Sequence, residues 1–435
     1  MMAPTLRSAL LFLSLFAAGC RTAAPSVAPA PEASTAPAPT VPAPEADSLL
    51  QGLTRLAQAQ PENPVLLYAV ASRHAERTEG AQAAQWLEKL DALRWDHALE
   101  PKDFKPWSST PEFRELAQRF AAREQKVSAS QPAFTLVERD FIPEGVAHDP
   151  ETGTFFVGSI RLRKVVAVAK DGAARDFISE ARDGLWSPLG LKVDAARRHL
   201  WMASWAGASG KGLTADERGR TGLFQYDLRT GALLRKVTMD GRPGAHLLND
   251  MAISASGDVF VTDSEAGGVQ VLRAGAEALT PLVPEGTLIY PNGIALSEDG
   301  ATLYVAHFTG LVRVDPEKGT LTRMQPPRGT TLGGVDGLSA HGRTLVAVQN
   351  GIGRGRVVRF HLGADPDRVE RVEVLESGNA LFATPTTGAV AGGHFVYIAN
   401  SYVRDVGPDG TLPPVDLLRP PVLLRVSLGG GQGAP

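Results

Sequence analysis

Six short segments of this chain can be laid under one another, and this internal repeat constrains the fold more than any other feature. They are Pro143-Glu144-Gly145-Val146-Ala147, Pro188-Leu189-Gly190-Leu191-Lys192, Leu248-Asn249-Asp250-Met251-Ala252, Pro291-Asn292-Gly293-Ile294-Ala295, Val335-Asp336-Gly337-Leu338-Ser339 and Pro385-Thr386-Thr387-Gly388-Ala389. Each is followed by a turn and a second β-type run, at 154–158, 199–203, 258–262, 302–306, 343–348 and 394–399. Most units continue into a third and a fourth strand, as in Phe224-Gln225-Tyr226-Asp227 before Thr230-Gly231 and Val312-Arg313-Val314-Asp315 before Lys318-Gly319. Short strands and Gly/Asp turns recurring at this long interval are the mark of four-stranded propeller blades. Sandwiches and up-and-down barrels carry no such repeat. The sequence therefore predicts an all-β domain over 133–428, a six-bladed β-propeller. Blade six has strands near 386–391, 394–400 and 422–428, and then the chain ends. The spare β-type run at 133–138 is expected to supply its fourth strand and close the ring.

The chain ahead of the propeller divides by composition. Residues 47–127 are rich in Leu, Ala, Gln, Glu and Arg, and Leu49, Leu50, Leu53 and Leu56 recur at helical spacing. Helices are expected at 64–77, 80–93 and 111–125. The stretch 63–93 resembles one helix–turn–helix unit of a tetratricopeptide repeat, a module able to hold a protein partner. The alternative is a small helical bundle acting as a spacer. Residues 21–46 are almost all Ala, Pro, Ser, Thr and Val, a composition that buries no core and reads as a semi-rigid tether. Residues 1–20 show Arg7, then an apolar run at 9–18, then Ala17-Ala18-Gly19-Cys20. That order is an export signal, too short for a stable transmembrane helix. Its end resembles a bacterial lipobox, which makes Cys20 the lipidation site. The reading is an exported protein held at the cell envelope by its N-terminal lipid, with an ordinary signal peptide as the alternative. Cys20 is the single cysteine, so no intramolecular disulfide forms. A net charge of -3 with interspersed signs gives no nucleic-acid footprint and no basic membrane-binding surface.

The residue that opens the first strand of each blade is, in order, Glu144, Leu189, Asn249, Asn292, Asp336 and Thr386. First strands line a propeller's channel, so these positions converge on one ring at one mouth. Glu144, Asn249, Asn292 and Asp336 offer two carboxylates and two amides, and no His stands in the ring. Oxygen donors with two negative charges on a rigid frame suit one divalent metal, calcium best of all. Taken singly, Asn249-Asp250, Pro291-Asn292-Gly293 and Asp336-Gly337 also read as ordinary turns. Second strands return to the same mouth and end at Ser159, Ser204, Asp263, His307, Asn350 and Asn400. These either form a polar wall around the metal or only cap their strands. The loops that follow, at 206–221 and 401–421, are long and are expected to shape access. Deletion of 206–221 is expected to alter substrate preference more than stability.

On these motifs the six units resemble the senescence-marker-protein/gluconolactonase propellers, and more distantly diisopropyl fluorophosphatase and the paraoxonases. The resemblance covers about residues 133–428. It implies metal ligation by Glu144, Asn292 and Asp336, and a substrate or metal contact from Asn249 and Asp250. It also implies metal-assisted hydrolysis of a small lactone or ester, with Asp250 or Asp336 as general base and His246 and His307 as further substrate contacts. Two positions depart from the family pattern: Leu247 stands where sugar lactonases carry Arg, and Val146 where many relatives carry Pro. The competing expectation is a non-catalytic propeller scaffold that binds a protein or cell-wall partner.

Overall fold

The structure is a computed structural model and describes residues 44–239, 241 and 244–429. Six four-stranded antiparallel sheets form the six blades, each ordered from the channel outward. Blade one holds β2 (Pro143–His148), β3 (Phe155–Ser159), β4 (Lys164–Val168) and β5 (Ala174–Ile178). Blade two holds β6 (Ser187–Asp194), β7 (His199–Trp205), β8 (Thr221–Asp227) and β9 (Leu233–Thr238). Blade three holds β10 (Leu248–Ile253), β11 (Val259–Asp263), β12 (Gly268–Leu272) and β13 (Thr280–Val283). Blade four holds β14 (Ile294–Leu296), β15 (Leu303–His307), β16 (Gly310–Val314) and β17 (Leu321–Arg323). Blade five holds β18 (Val335–His341), β19 (Thr344–Gln349), β20 (Arg356–Leu362) and β21 (Val369–Ser377).

Blade six joins the two ends of the domain. Its inner strands are β22 (Gly388–Ala391), β23 (His394–Ile398) and β24 (Val422–Ser427), and its outermost strand is β1 (Gln131–Thr135). β1 pairs antiparallel with β24, from Gln131 opposite Arg425 to Thr135 opposite Val422. The pairing starts at Gln131 rather than at 133. Pro132 is tolerated there because an outermost strand leaves one side of its backbone unpaired.

The blades pack face to face, and each interface is an apolar layer. Phe156, Val165, Leu191 and Met202 fill the space between blades one and two, and Val157, Val166, Val396 and Ile398 that between blades one and six. Middle strands such as β4 and β12 are buried along their whole length because both of their faces are covered. Polar clamps add to this at the turns. Buried Asp149 of blade one accepts from both terminal nitrogens of Arg198 of blade two, at 2.6 and 2.7 Å.

Four α-helices among the described residues precede the propeller: α1 (Pro44–Ala59), α2 (Pro64–Glu76), α3 (Gly80–Ala92) and α4 (Pro111–Ala121). The first begins at Pro44, so the helical region reaches three residues into the stretch read as tether. Asn63 caps α2 by accepting from Val65 N, and Thr110 caps α4 by accepting from Phe113 N, each with Pro at the first helical position. Leu53, Leu67, Leu87, Trp95 and Phe120 share one core, and Ile289, Phe308 and Ile352 of the propeller pack into it. Asn63 Nδ2 donates to Thr309 O at 3.1 Å, and Arg356 pairs with Asp96 at 3.3 Å. The helices therefore sit against blades four and five. No helix among the described residues is long and apolar enough to cross a membrane. The signal segment, Cys20 and the tether up to residue 43 lie outside the described residues.

Candidate functional site

At one mouth of the channel a cavity is lined by Glu144, Leu189, Asn249, Asn292 and Asp336, five of the six ring positions. The sixth, Thr386, is buried and donates its hydroxyl to Glu144 O at 3.2 Å. The repeat thus brings Glu144, Asn249, Asn292 and Asp336 to one place. Two local features put them there. First, the glycine after the ligand is needed for close approach and not for a turn. Neither Gly145 nor Gly293 has a positive φ. A Cβ on Gly145 would lie 1.9 Å from Leu189 O, and one on Gly293 would lie 2.3 Å from Asp336 O. At Pro291-Asn292-Gly293 the turn reading gives way to ring packing. Second, Ile142, Tyr290 and Thr384 stand two residues before the ring position, each just before a proline, with φ of 46°, 49° and 56°. Left-handed backbone is costly for such residues, the more so before proline, and held strain of this kind gathers at functional sites.

The electrostatics of the ring are set by two buried carboxylates. Glu144 Oε2 is buried and has no hydrogen-bond partner among the described residues. Burial pushes the Glu144 carboxyl well above the ordinary carboxylate range, and the Asp336 and Asp250 charges push it further. Burial likewise lifts Asp336 to about 6 against the hydrogen bonds of Asn350 and Asn292, which pull the other way. Asn292 Nδ2 donates to Asp336 Oδ1 at 2.9 Å, and Asn350 Nδ2 donates to Asp336 Oδ2. Asn249 Nδ2 donates to Ser264 Oγ at 3.0 Å, and Ser264 Oγ donates on to Pro291 O at 2.6 Å. That fixes the Asn249 amide with its nitrogen engaged and its oxygen as the remaining donor atom. No group of three His, Cys, Asp or Glu side chains that could hold a metal occurs among the described residues. The ring reaches four oxygen donors only by adding two amides to two carboxylates. An orphaned buried carboxylate oxygen beside a second buried carboxylate and two amides fits a hard divalent ion.

Other expected residues fall elsewhere. Asp250 does not line the cavity: its carboxylate accepts from Met251 N at 2.8 Å and Ile294 N at 3.4 Å and lies 3.4 Å from Lys192 Nζ. Successive residues of a strand point to opposite faces, and Asn249 has taken the cavity side. Asp250 is a brace between blades three and four. His246 bonds Asp263 at 2.6 Å and His307 lies 3.4 Å from the Thr309 hydroxyl, and neither lines the cavity. Burial pushes His307 down to about 4, so it is neutral at neutral pH. Other strand-end residues bond to neighbouring strands of their own blade: Ser204 donates to Ser187 O, and Asn400 accepts from Val422 N. Asn350 alone of that series reaches the ligand ring.

Both long loops line the cavity, through Gly207 and Ser209 on one side and Val403 and Arg404 on the other. The first loop is tied down more firmly than its length suggested. Lys211 N donates to Arg161 O, and Glu217 pairs with Arg163, whose side chain is only 5% exposed. Deletion of 206–221 strands that buried charge, so it costs stability as well as altering access. Arg404 and Asn350 carry no motif. The one signal for them in the sequence is position, at or just after the end of a second strand.

No protein-family model matches the chain, and no curated protein matches it. Among solved structures it is similar to a gluconolactonase from Xanthomonas campestris, with 17% identity, 67% of this chain and 88% of that chain covered, and a TM-score of 0.47. It is similar to regucalcin, a calcium-binding protein from Agrobacterium tumefaciens, with 18% identity, 69% and 95% covered, and a TM-score of 0.47. It is also similar to virginiamycin B lyase from Staphylococcus aureus, with 14% identity, 62% and 81% covered, and a TM-score of 0.44. The six-bladed β-propeller is read from this chain's own strand order, and its chemistry is a matter for the site itself.

Proposed function

We propose that this chain is a divalent-metal-dependent hydrolase of lactone or ester type, with Glu144, Asn249, Asn292 and Asp336 as ligands and calcium as the ion they suit best. The observation that carries this reading is the buried, unpartnered Glu144 Oε2 beside Asp336 in a cavity open at the channel mouth. A scaffold has no need of such an arrangement, since an unpaired buried polar group costs stability. A divalent cation held there supplies Lewis-acid polarisation of a substrate carbonyl oxygen. The protein's own groups do the rest. Ser264 and Asn350 fix the directions of Asn249 and Asp336. Leu189, Leu247, Phe308 and Val335 exclude water from the walls. Glu144 and Asp336 are the carboxylates that line the cavity among the described residues, and with Asp250 turned away the general-base role falls to Asp336. A screen of lactones and carboxylic esters tests this: turnover should require calcium and vanish with chelator. Turnover unaffected by chelator contradicts it.

The same reading places the protein outside the cytoplasm, anchored by lipid on Cys20 to the cell envelope. Its test is metabolic labelling with a radioactive fatty acid. The wild type should take up label and sediment with membranes, and Cys20→Ser should do neither. Equal labelling of both would refute the anchor.

A further inference from the structure

Two donors in the cavity are left unused by the four oxygen ligands. Arg404 lines it from the loop after β23, and Trp205 lines it from the end of β7. These blades flank blade one, which carries Glu144, so the two residues stand on either side of the ring's glutamate. Arg404 donates to Asn350 Oδ1 at 3.3 Å, but its buried Nε has no hydrogen-bond partner, and no carboxylate pairs with it within 4 Å among the described residues. The buried Trp205 Nε1 likewise has no partner. Buried N–H groups left unmade are costly, and a ligand bearing an acceptor would satisfy them. Charge points the same way. A divalent cation held there would balance Glu144 and Asp336, and the other carboxylate that feels the Arg404 charge, Asp103, lies outside the cavity lining and accepts from the Tyr68 hydroxyl at 2.6 Å. The remaining wall is mostly apolar, with Ile160, Leu189, Leu247, Phe308, Val335 and Val403, and is broken by Ser209, Tyr290 and Thr384. A hydroxyl-rich chain set against the apolar part of that wall would lose more water contacts than these few polar residues replace.

We infer that the cavity takes an amphipathic monoanion, an apolar acyl or alkyl body carrying one carboxylate that Arg404 and Trp205 hold, in preference to a polyhydroxylated sugar acid. Calling this ligand a substrate rests on the hydrolase reading, and so does the charge argument; the apolar wall and the unpartnered N–H groups stand apart from it. Guanidinium–carboxylate hydrogen bonds are among the stronger ones available to a protein, and Arg is the residue suited to them.

Three six-carbon probes separate the terms: hexanoate (apolar with charge), gluconate (polar with charge) and 1-hexanol (apolar without charge). Each is titrated calorimetrically into the purified full chain with calcium present. Hexanoate should bind at least ~10-fold tighter than gluconate and than 1-hexanol. Arg404→Gln should weaken hexanoate by about 10-fold or more and leave 1-hexanol unchanged, and Trp205→Phe, which keeps the ring and removes the N–H, should weaken hexanoate several-fold, on the order of one hydrogen bond. Hexanoate binding that is the same in wild type, Arg404→Gln and Trp205→Phe would overturn the inference, as would gluconate binding as tightly as hexanoate. Should Arg404→Gln fail to fold, Trp205→Phe and Arg404→Lys carry the comparison. The calcium-induced rise in Tm of the same proteins is read alongside. Its absence in wild type, with the hexanoate preference intact, would defeat the metal reading and leave this one standing.

Discussion

Glu144→Gln is expected to fold as the wild type does and to lose at least ~100-fold of the calcium-dependent hydrolysis. The reasoning starts from what Glu144 lacks. Its Oε2 is buried with no partner, and burial together with the nearby Asp336 and Asp250 carboxylates raises its proton affinity. In chelator the folded protein therefore carries this carboxylate against its preference. A neutral amide of the same shape removes that burden, so the variant's Tm in chelator should equal or exceed that of the wild type. In calcium the order reverses, because the wild type gains a charged ligand's worth of binding and the variant does not. A folded Glu144→Gln that hydrolyses within a few-fold of wild type would show that the ring is structural. A variant already destabilised in chelator would show that the carboxylate has protein partners after all.

Gly145→Ala is expected to cost about 3 kcal/mol or more, at the upper end of overpacking penalties. The added methyl would stand 1.9 Å from Leu189 O and 2.5 Å from Leu191 Cδ1. One of these atoms is backbone, so the blades themselves must part, and they part beside Glu144. The variant should therefore also show a weakened calcium response. Gly363→Ala is the control. A Cβ there meets its nearest atom, Glu370 Cβ, at 3.5 Å, and the change should stay within about 0.5 kcal/mol. Equal melting temperatures for Gly145→Ala and Gly363→Ala would contradict the account of the ring.

What the sequence revealed and what it hid have physical causes. Blade number, strand order and ring closure were legible because a repeat writes the same pattern six times, and the closing strand at Gln131–Thr135 followed from a count of strands. The helix starts expected at 64 and 111 coincide with Pro64 and Pro111, which Asn63 and Thr110 cap. The gathering of Glu144, Asn249, Asn292 and Asp336 at one mouth was legible because equivalent repeat positions must converge on a common axis. Asp250 was misplaced by one step of strand alternation, which the bulge between Leu248 and Met251 obscured. His246 and His307 were named for their chemistry, and tertiary structure gave them other partners, Asp263 and Thr309. Arg404 and Asn350 were visible by position and not by role. Asn350 stood in the series of second-strand ends and Arg404 in the long 401–421 loop, but residue type varies from blade to blade at these places, so nothing singled either out. The docking of the helices beside the mouth, through Phe308 and Ile352, depends on long-range packing that composition does not encode.

The central claim is that the ring binds one divalent cation. The direct measurement is metal content and melting temperature of the purified wild type and of Asp336→Ala, each in calcium and in chelator. The account predicts one divalent ion per wild-type chain, with calcium at about 100 times its Kd adding about 2.7 kcal/mol of stability, and neither ion nor stabilisation in Asp336→Ala. A wild type that binds no ion and melts at the same temperature in calcium and in chelator would contradict it.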